Sequence, residues 1–249
     1  MPIKTFSLPI LFLVIIFVGK SFAIDDIKFS TGMTQDLFKK FSEELGVALS
    51  YKPVSPAEPY GITGFDLGVE LSALKIDDKY WKNAVKDLDA PSYLLVPKLH
   101  AIKGLPFGID VGVVYSQIPG SNIKYFGGEL KYAVIQGGAV LPAVAIRGTY
   151  TQLSGVDELD FKTYGAEASI SKGFGIGVKI TPYAGAGINY FKSTPKGNAS
   201  NIVGLKEETF SKPKVYVGAR LNVLLLTVTG EVEYNDITPV YSLKAGLSF

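Results

Sequence analysis

The feature that most constrains this chain is a two-residue period of apolar and polar side chains that runs from Tyr60 to Phe249. In the segment 107–116, for example, apolar residues occupy every second position, and glycine, aspartate or serine occupies most positions between them. Successive side chains of a strand point to opposite faces, so this period predicts β-structure throughout. The ten predicted strands lie near residues 60–73, 92–103, 107–118, 123–136, 140–153, 160–173, 178–192, 212–224, 226–235 and 239–249.

Alternation alone leaves open which parity faces inward, because a soluble barrel or sandwich has an apolar interior and a membrane barrel has an apolar exterior. Three patterns favour the second arrangement. The strands are long enough to cross a bilayer, short and longer connections alternate, and lysines and aromatic residues on the apolar parity gather near strand ends. These residues are Lys103, Lys124, Lys162, Lys172 and Lys192, and Tyr93, Phe107, Tyr115, Phe126, Tyr150, Tyr164, Tyr190 and Tyr241.

The sequence therefore predicts an all-β fold, an antiparallel transmembrane β-barrel of about ten strands over residues 60–249. If the first strand starts at the periplasm, every longer connection lies outside and both termini lie in the periplasm.

Residues 1–23 have the pattern of a cleaved signal peptide. Lys4 provides a basic start, and an uncharged apolar run covers residues 10–18. Small residues, Ser21 and Ala23, stand at the positions that a signal peptidase reads just before the predicted cleavage point. The apolar run is well short of the roughly 20 residues that a spanning helix needs. We therefore expect export through a cleaved signal peptide.

Residues 24–59 have a different period and form a separate predicted unit. Thr34 can cap the start of a helix and Gly46 can end it. Residues 39, 40, 43 and 44 would form its solvent-exposed face. A proline-rich stretch, residues 52–59, follows as an extended connector. We expect a short amphipathic periplasmic helix that plugs or caps the barrel mouth. The alternatives are that it lies on the membrane interface or binds a partner. Its apolar face is Leu37, Phe38, Phe41 and Leu45.

Composition excludes several classes of function. The chain has no cysteine, so a disulfide scaffold or a thiolate metal site is excluded. Without Lys4 and Lys20 of the signal peptide, 23 basic residues balance 23 acidic ones, which argues against a nucleic-acid partner. No pattern indicates a cofactor.

Charged residues on the polar parity would line the barrel lumen. Acids and bases on neighbouring strands can pair, such as Glu129 with Arg147 and Arg220 with Glu231. The favoured interpretation is a structural ion-pair network, and the alternative is a selectivity lining for a solute path. His100 is the single histidine, and a hydrogen-bonded structural role is favoured over catalysis, for which Ser169 and Ser171 qualify only by parity. The predicted lining residues are Asp66, Glu70, Lys98, His100, Asp110, Glu129, Lys131, Arg147, Glu167, Lys179, Arg220, Glu231, Glu233 and Lys244.

The last nine residues, 241–249, resemble the closing strand of Gram-negative outer-membrane β-barrel proteins, which ends in an aromatic residue. The resemblance implies an outer-membrane location and recognition by the barrel-assembly machinery, with outer-membrane lipid and lipopolysaccharide as surroundings. The residues that would carry this assembly signal are Tyr241, Leu243, Leu247 and Phe249.

The sequence thus predicts a non-enzymatic outer-membrane barrel that forms a narrow or plugged channel for a small solute. The alternative is a closed structural or adhesin-like barrel that acts through its external loops. A soluble periplasmic barrel is the third possibility.

Overall fold

The computed structural model describes residues 26–249 except 86–92, 119, 120, 122 and 202. The predicted signal peptide lies outside the described residues. Ten strands pair antiparallel in chain order, and the first pairs with the last, which closes the sheet into a barrel. The strands are β1 (Phe65–Lys75), β2 (Tyr93–Gly104), β3 (Ile109–Gln117), β4 (Lys124–Gln136), β5 (Ala143–Ser154), β6 (Leu159–Ser171), β7 (Val178–Pro195), β8 (Glu208–Val223), β9 (Leu226–Asn235) and β10 (Val240–Ser248).

The prediction of ten antiparallel strands is confirmed. The barrel has two distinct ends. At the turn end, β1 begins, β10 finishes, and β8 and β9 are joined by the two residues 224–225. At the loop end, β1 and β7 finish and β2 and β8 begin, so the two longest connections between strands start and end there.

Helices are few and short in the described part of the chain. Helix α1 (Gln35–Leu49) precedes the barrel, whereas α2 (Asp78–Trp81) and α3 (Asn198–Asn201) belong to the two long connections at the loop end. A 3₁₀ turn, Pro106–Gly108, joins β2 to β3. None of the described helices has the length and hydropathy to span a bilayer.

The barrel has inverted polarity, as the connection lengths and the lysines and aromatic residues near strand ends predict. Outward side chains such as Leu130, Val217 and Leu243 are more than half exposed, whereas inward ones such as Asp110, Lys131 and Glu70 have no exposed surface. A soluble barrel would bury the apolar set in order to gain hydrophobic free energy. Charges inside and apolar residues outside are the arrangement of a barrel embedded in lipid.

Helix α1 lies inside the barrel at the loop end, which corrects the prediction of a helix at the end where β1 begins. Its Ser42 Oγ is 2.8 Å from Ser193 Oγ, near the end of β7, and Thr151 of β5 donates a 2.8 Å hydrogen bond to the carbonyl of Leu49. Under the predicted orientation the loop end of the barrel faces outward. A helix in the periplasm, and a chain with both termini in the periplasm, therefore do not fit these contacts. The period of the helix carries no information about its depth in the barrel.

Two local predictions for α1 are also wrong. Gly46 does not close the helix, which continues to Leu49; a Cβ at Gly46 would lie 2.7 Å from the Phe191 ring, so glycine permits close packing against β7. Glu43 and Glu44 are buried rather than exposed to solvent. The predicted cap is correct: Thr34 Oγ1 accepts a 3.3 Å hydrogen bond from the N–H of Leu37.

The main hydrophobic core fills the loop-end half of the lumen. Phe38 and Phe41 of α1 have no exposed surface, and Trp81 of α2 packs edge-on against Phe41 at 4.8 Å between ring centroids. Trp81 thus anchors the short loop helix. Leu45 is also buried, and Leu37 packs against the cluster while partly exposed.

Candidate functional site

The lumen is occupied from one end to the other by the chain's own N-terminal segment, residues 26–60. Residues 26–33 contact the loop-end connections, and α1 fills the adjoining half of the barrel. Residues 50–60, which we call the strap, run on to the turn end, where Tyr60 donates a 3.1 Å backbone hydrogen bond to Asp110. The chain then turns into β1 through Gly61, whose φ of 73° suits glycine.

At the loop end, the N-terminal segment and two connections form an ordered cap. Ile27 forms a β-bridge with Val85, and the N–H of Phe29 donates a 2.8 Å hydrogen bond to Glu158. Glu44 of α1 accepts hydrogen bonds from Trp81 Nε1 at 2.6 Å and from the N–H of Asp77 at 3.1 Å. Burial raises the pKa of the Glu44 carboxyl above its ordinary value, and these hydrogen bonds oppose that rise.

The strap is rich in hydrogen-bond acceptors because proline recurs at positions 53, 56 and 59 and has no N–H group. Cations on the barrel wall satisfy the carbonyls. Lys244 reaches the Pro53 carbonyl at 3.3 Å, and Lys131 reaches the carbonyls of Pro56 at 3.3 Å and Glu58 at 2.9 Å. The strap therefore binds a wall that supplies donors, and the carbonyls of Pro53, Pro56 and Glu58 gain charged partners.

Other wall residues hold the strap by side-chain contacts. Arg147 donates a 3.2 Å hydrogen bond to Ser55 Oγ, and Ser171 Oγ accepts one at 3.1 Å from the N–H of Ala57. Arg220 donates one at 2.8 Å to the hydroxyl of Tyr60. Strap and wall are thus joined at every level of the turn-end half.

The wall charges form two ion-pair groups. The first lies on β1, β2, β8 and β10: Asp66 binds Lys244 at 3.0 Å and Arg220 at 2.9 Å. In the same group, Glu70 contacts Lys98 and lies 2.5 Å from His100 Nε2. Tyr51 of the strap covers the His100 ring edge-on at 5.8 Å between centroids, so the imidazole is enclosed.

The second group lies mainly on β3 to β6, where Asp110, Lys131, Arg147 and Glu167 are direct partners in register. Lys131 and Asp110 are 2.8 Å apart, and Arg147 binds Glu129 at 3.0 Å and also contacts Glu167. Asp110 and Lys131, and likewise Arg147 and Glu167, are opposite charges directly across neighbouring strands, so they pair without further adjustment of the backbone. Lys131 and Arg147 also face each other but are like charges, and each binds an acid instead.

One predicted pair forms and one does not. Glu129 binds Arg147, as expected. Arg220 does not bind Glu231, because the register places Arg220 opposite Thr229 and Glu231 opposite Gly218. Glu231 instead accepts a 2.8 Å hydrogen bond from the hydroxyl of Tyr183.

The structure buries the predicted lining residues with one exception. Lys179, at the turn end, is partly exposed and pairs with Glu58 of the strap at 2.5 Å. Two buried cations were missed: Lys214, which binds Glu167 at 2.7 Å, and Lys52 of the strap, 3.6 Å from Glu233. The buried predicted residues are Asp66, Glu70, Lys98, His100, Asp110, Glu129, Lys131, Arg147, Glu167, Arg220, Glu231, Glu233 and Lys244.

The remaining space is small. A cavity of about 350 Å³ opens at the turn end between the strap and the wall, and Tyr60, Lys179, Arg220 and Asn222 contribute to its lining. Among the described residues, no group of three or more histidine, aspartate or glutamate side chains is arranged to hold a metal ion.

The residues of the predicted assembly signal lie on the closing strand. Tyr241, Leu243 and Leu247 of β10 point outward and are about half exposed, and β10 pairs with β1 to close the barrel. Phe249, just after β10, lies 6.4 Å from the Phe65 ring.

Comparisons with known proteins give fold-level similarity only. No family model matches the chain, and no curated protein matches it. The N-terminal β-barrel domain of Pseudomonas aeruginosa OprF is 14% identical over 73% of this chain and 97% of its own, with a TM-score of 0.34. The attachment invasion locus protein Ail of Yersinia pestis, solved with sucrose octasulfate, is 12% identical over 75% and 98%, with a TM-score of 0.30.

A third similar structure, the KdgM porin in complex with disordered oligogalacturonate, is 10% identical over 75% of this chain and 99% of its own, with a TM-score of 0.37. Identities and TM-scores this low carry no argument about function. The closed sheet and its inverted polarity, which are properties of this chain itself, are those of a β-barrel of the Gram-negative outer-membrane type.

Proposed function

We propose that the protein is an outer-membrane channel for small solutes whose lumen is plugged by its own N-terminal segment. The observation that carries this proposal is the continuous filling of the lumen by α1 and the strap. Because a ten-stranded barrel is only slightly wider than an eight-stranded one, a single helix and one extended chain suffice to fill it.

The charge of the wall indicates what an open lumen would pass. With Lys214 added, the predicted wall residues comprise seven acids and seven bases, and they pair mainly with one another. Removal of the segment would leave a polar lumen of nearly balanced charge. We therefore expect weak selectivity between anions and cations and a preference set by solute size.

The surroundings of His100 support a non-enzymatic role. Its imidazole contacts Glu70 and Tyr51, and Ser171 is engaged in holding the strap. The proposed orientation places the loop end outside, so the cap of residues 26–33 faces the medium. The proposed partners remain outer-membrane lipid, lipopolysaccharide and, for insertion, the barrel-assembly machinery.

The test is single-channel recording in planar bilayers. We expect full-length protein to show rare or no steps, deletion of residues 26–49 to give small steps, and deletion of residues 26–58 to give larger ones. Heat-modifiable gel mobility and circular dichroism establish that each deleted protein forms a barrel. If a folded barrel without residues 26–58 shows no steps, or if the full-length protein is fully open, the plugged-channel proposal is wrong.

The second candidate is a closed barrel that acts at its outer surface. The ordered cap favours it, because Phe29 and Ile27 tie the N-terminal segment to two different connections. A surface-binding barrel has no need to open. If this candidate is right, no variant shows conductance steps in the same recording. Binding to cells or matrix should be lost when Phe29→Asp disrupts the cap.

A further inference from the structure

The outward face of β5, β6 and β7 near the loop end carries two lysines in an unfavourable position. Lys162 and Lys192 are directly opposite each other across β6 and β7, and Gln152 of β5 is opposite Lys162. Like charges that face each other on neighbouring strands, with Cβ atoms about 4.5–5.5 Å apart, are destabilising. This position therefore favours a bound anion.

The carboxylates nearby only partly neutralise these lysines. Lys192 is 3.1 Å from Glu207, and Lys162 is 4.0 Å from Asp160, which also binds Lys196 at 3.3 Å. All these side chains are between about a quarter and a half exposed, and ion pairs of this kind are weak. A phosphate, with its greater charge, can replace a carboxylate at such a position.

Below the lysines, two residues nearer the turn end, lies a row of tyrosines. Tyr150, Tyr164 and Tyr190 are opposite one another in register, with ring centroids 5.2 Å and 6.3 Å apart. Tyrosines at this depth are typical of the boundary between headgroups and acyl chains. The lysines thus lie at the depth of lipid phosphates.

Below the tyrosines, β4 to β7 form an apolar groove with a volume of about 610 Å³. Its floor is made of small residues, including Gly148, Ala166 and Ala186, and its sides include Leu130 and Ile188. Such a groove suits an acyl chain that lies along the barrel wall. Lysines, tyrosines and groove follow one another in the order of headgroup, interface and hydrocarbon.

From this order we propose a binding site for one phosphorylated lipid of the outer leaflet, whose phosphate lies between Lys162 and Lys192 and whose acyl chain occupies the groove. The site depends on the transmembrane placement of the barrel and is independent of whether the lumen conducts. On another side of the barrel at the same end, Lys75 of β1 is opposite Tyr93 rather than a lysine.

The experiment uses full-length protein in nanodiscs of phosphatidylcholine that contain lipid A as the probe, with bound lipid counted by native mass spectrometry. We expect K162Q/K192Q to lower lipid A retention about thirtyfold, whereas the matched variant K75Q retains it. Gly148→Leu, which has open space around its added side chain, fills the groove and is also expected to lose the lipid. Gly230→Leu, with equally open space on β9, is the control.

Two further arms separate the sources of the phosphate and of the binding energy. Inorganic phosphate is expected to compete poorly, and diacylglycerol, which lacks phosphate, is expected not to be retained. Unchanged retention by folded K162Q/K192Q, equal loss in K75Q, or full competition by inorganic phosphate would overturn the proposal.

Discussion

The two halves of the filled lumen are built on different physical principles. In the loop-end half, α1 presents Phe38 and Phe41 to an apolar cluster that includes Trp81. In the turn-end half, the strap has no helix and few donors, and wall cations such as Lys131 and Lys244 bind its carbonyls. One half is held by burial of hydrocarbon, the other by paired charges.

The difference shows how one short segment can close a barrel whose inner wall is apolar near the loop end and charged near the turn end. Apolar residues of α1 would be costly against bare charges, so the loop connections and inward apolar residues such as Leu153 and Phe161 surround the helix. The strap meets the charges, and its prolines limit the number of N–H groups that need acceptors. Each half can therefore be weakened separately.

The largest expected effect comes from leaving a charge unpaired in the strap half. Lys131→Met removes the partner of Asp110 and the donor to the Pro56 and Glu58 carbonyls. We expect a loss of about 5 kcal/mol in the free energy of unfolding, measured by urea titration in lipid vesicles. The double variant Lys131→Met/Asp110→Asn should recover most of it; no recovery would contradict the paired-charge account.

Phe41→Ala should weaken the helix half by a somewhat smaller amount, about 4 kcal/mol, because it opens a cavity between Phe29 and Trp81. Trp81 is the single tryptophan, so its emission reports on this half alone. We expect a red shift in Phe41→Ala and none in the lipid-facing control Phe126→Ala. Equal emission from the two variants would argue against the buried contact.

Loss of the helix cap should have a smaller effect. In Thr34→Ala the N–H of Leu37 loses its acceptor, which costs about 1 kcal/mol of helix stability. Protease cleavage near residue 34 should become faster while heat-modifiable mobility is unchanged. The conservative variant Thr34→Ser should restore resistance, and failure to do so would exclude the cap as the cause.

The smallest expected effect is a pH dependence of the contact between α1 and the loop-end connections. Burial raises the pKa of Glu44, with Asp77 and Glu43 as neighbouring acids, so the docked form binds the proton more tightly than the released form. Binding of α1 to the loop-end connections is then strongest below the ordinary pKa of a glutamate. It weakens as the pH rises through the raised pKa of Glu44. Trp81 emission should follow this trend in the natural protein and lose it in Glu44→Gln. An identical pH profile in both would remove Glu44 as the cause.

The strands and their faces could be predicted because each depends on a local period of two. Lys214 and Arg220 occupy the same face of β8, so the burial of Lys214 could have been predicted from the sequence. Lys52 was not, because the strap has no period that orients its side chains.

The position of α1 could not be predicted either, because it depends on distant partners. Ser42 meets Ser193 across 151 residues, and Glu44 meets Trp81 across 37. The close approach at Gly46 likewise depends on Phe191 rather than on the helix itself. Local pattern predicts where the helix starts and which residues form its apolar face, whereas the barrel determines where the helix ends and which end of the lumen it occupies.

The central claim is that the N-terminal segment lies within the lumen with α1 at the loop end, and disulfide formation tests it most directly. The chain has no cysteine, so an engineered pair is unambiguous. Ser42→Cys/Ser193→Cys joins positions whose Oγ atoms are 2.8 Å apart, whereas Ser42→Cys/Ser171→Cys pairs the helix with the turn end. In native membranes, non-reducing gels should show the first cross-link and not the second. The second cross-link without the first would contradict the account.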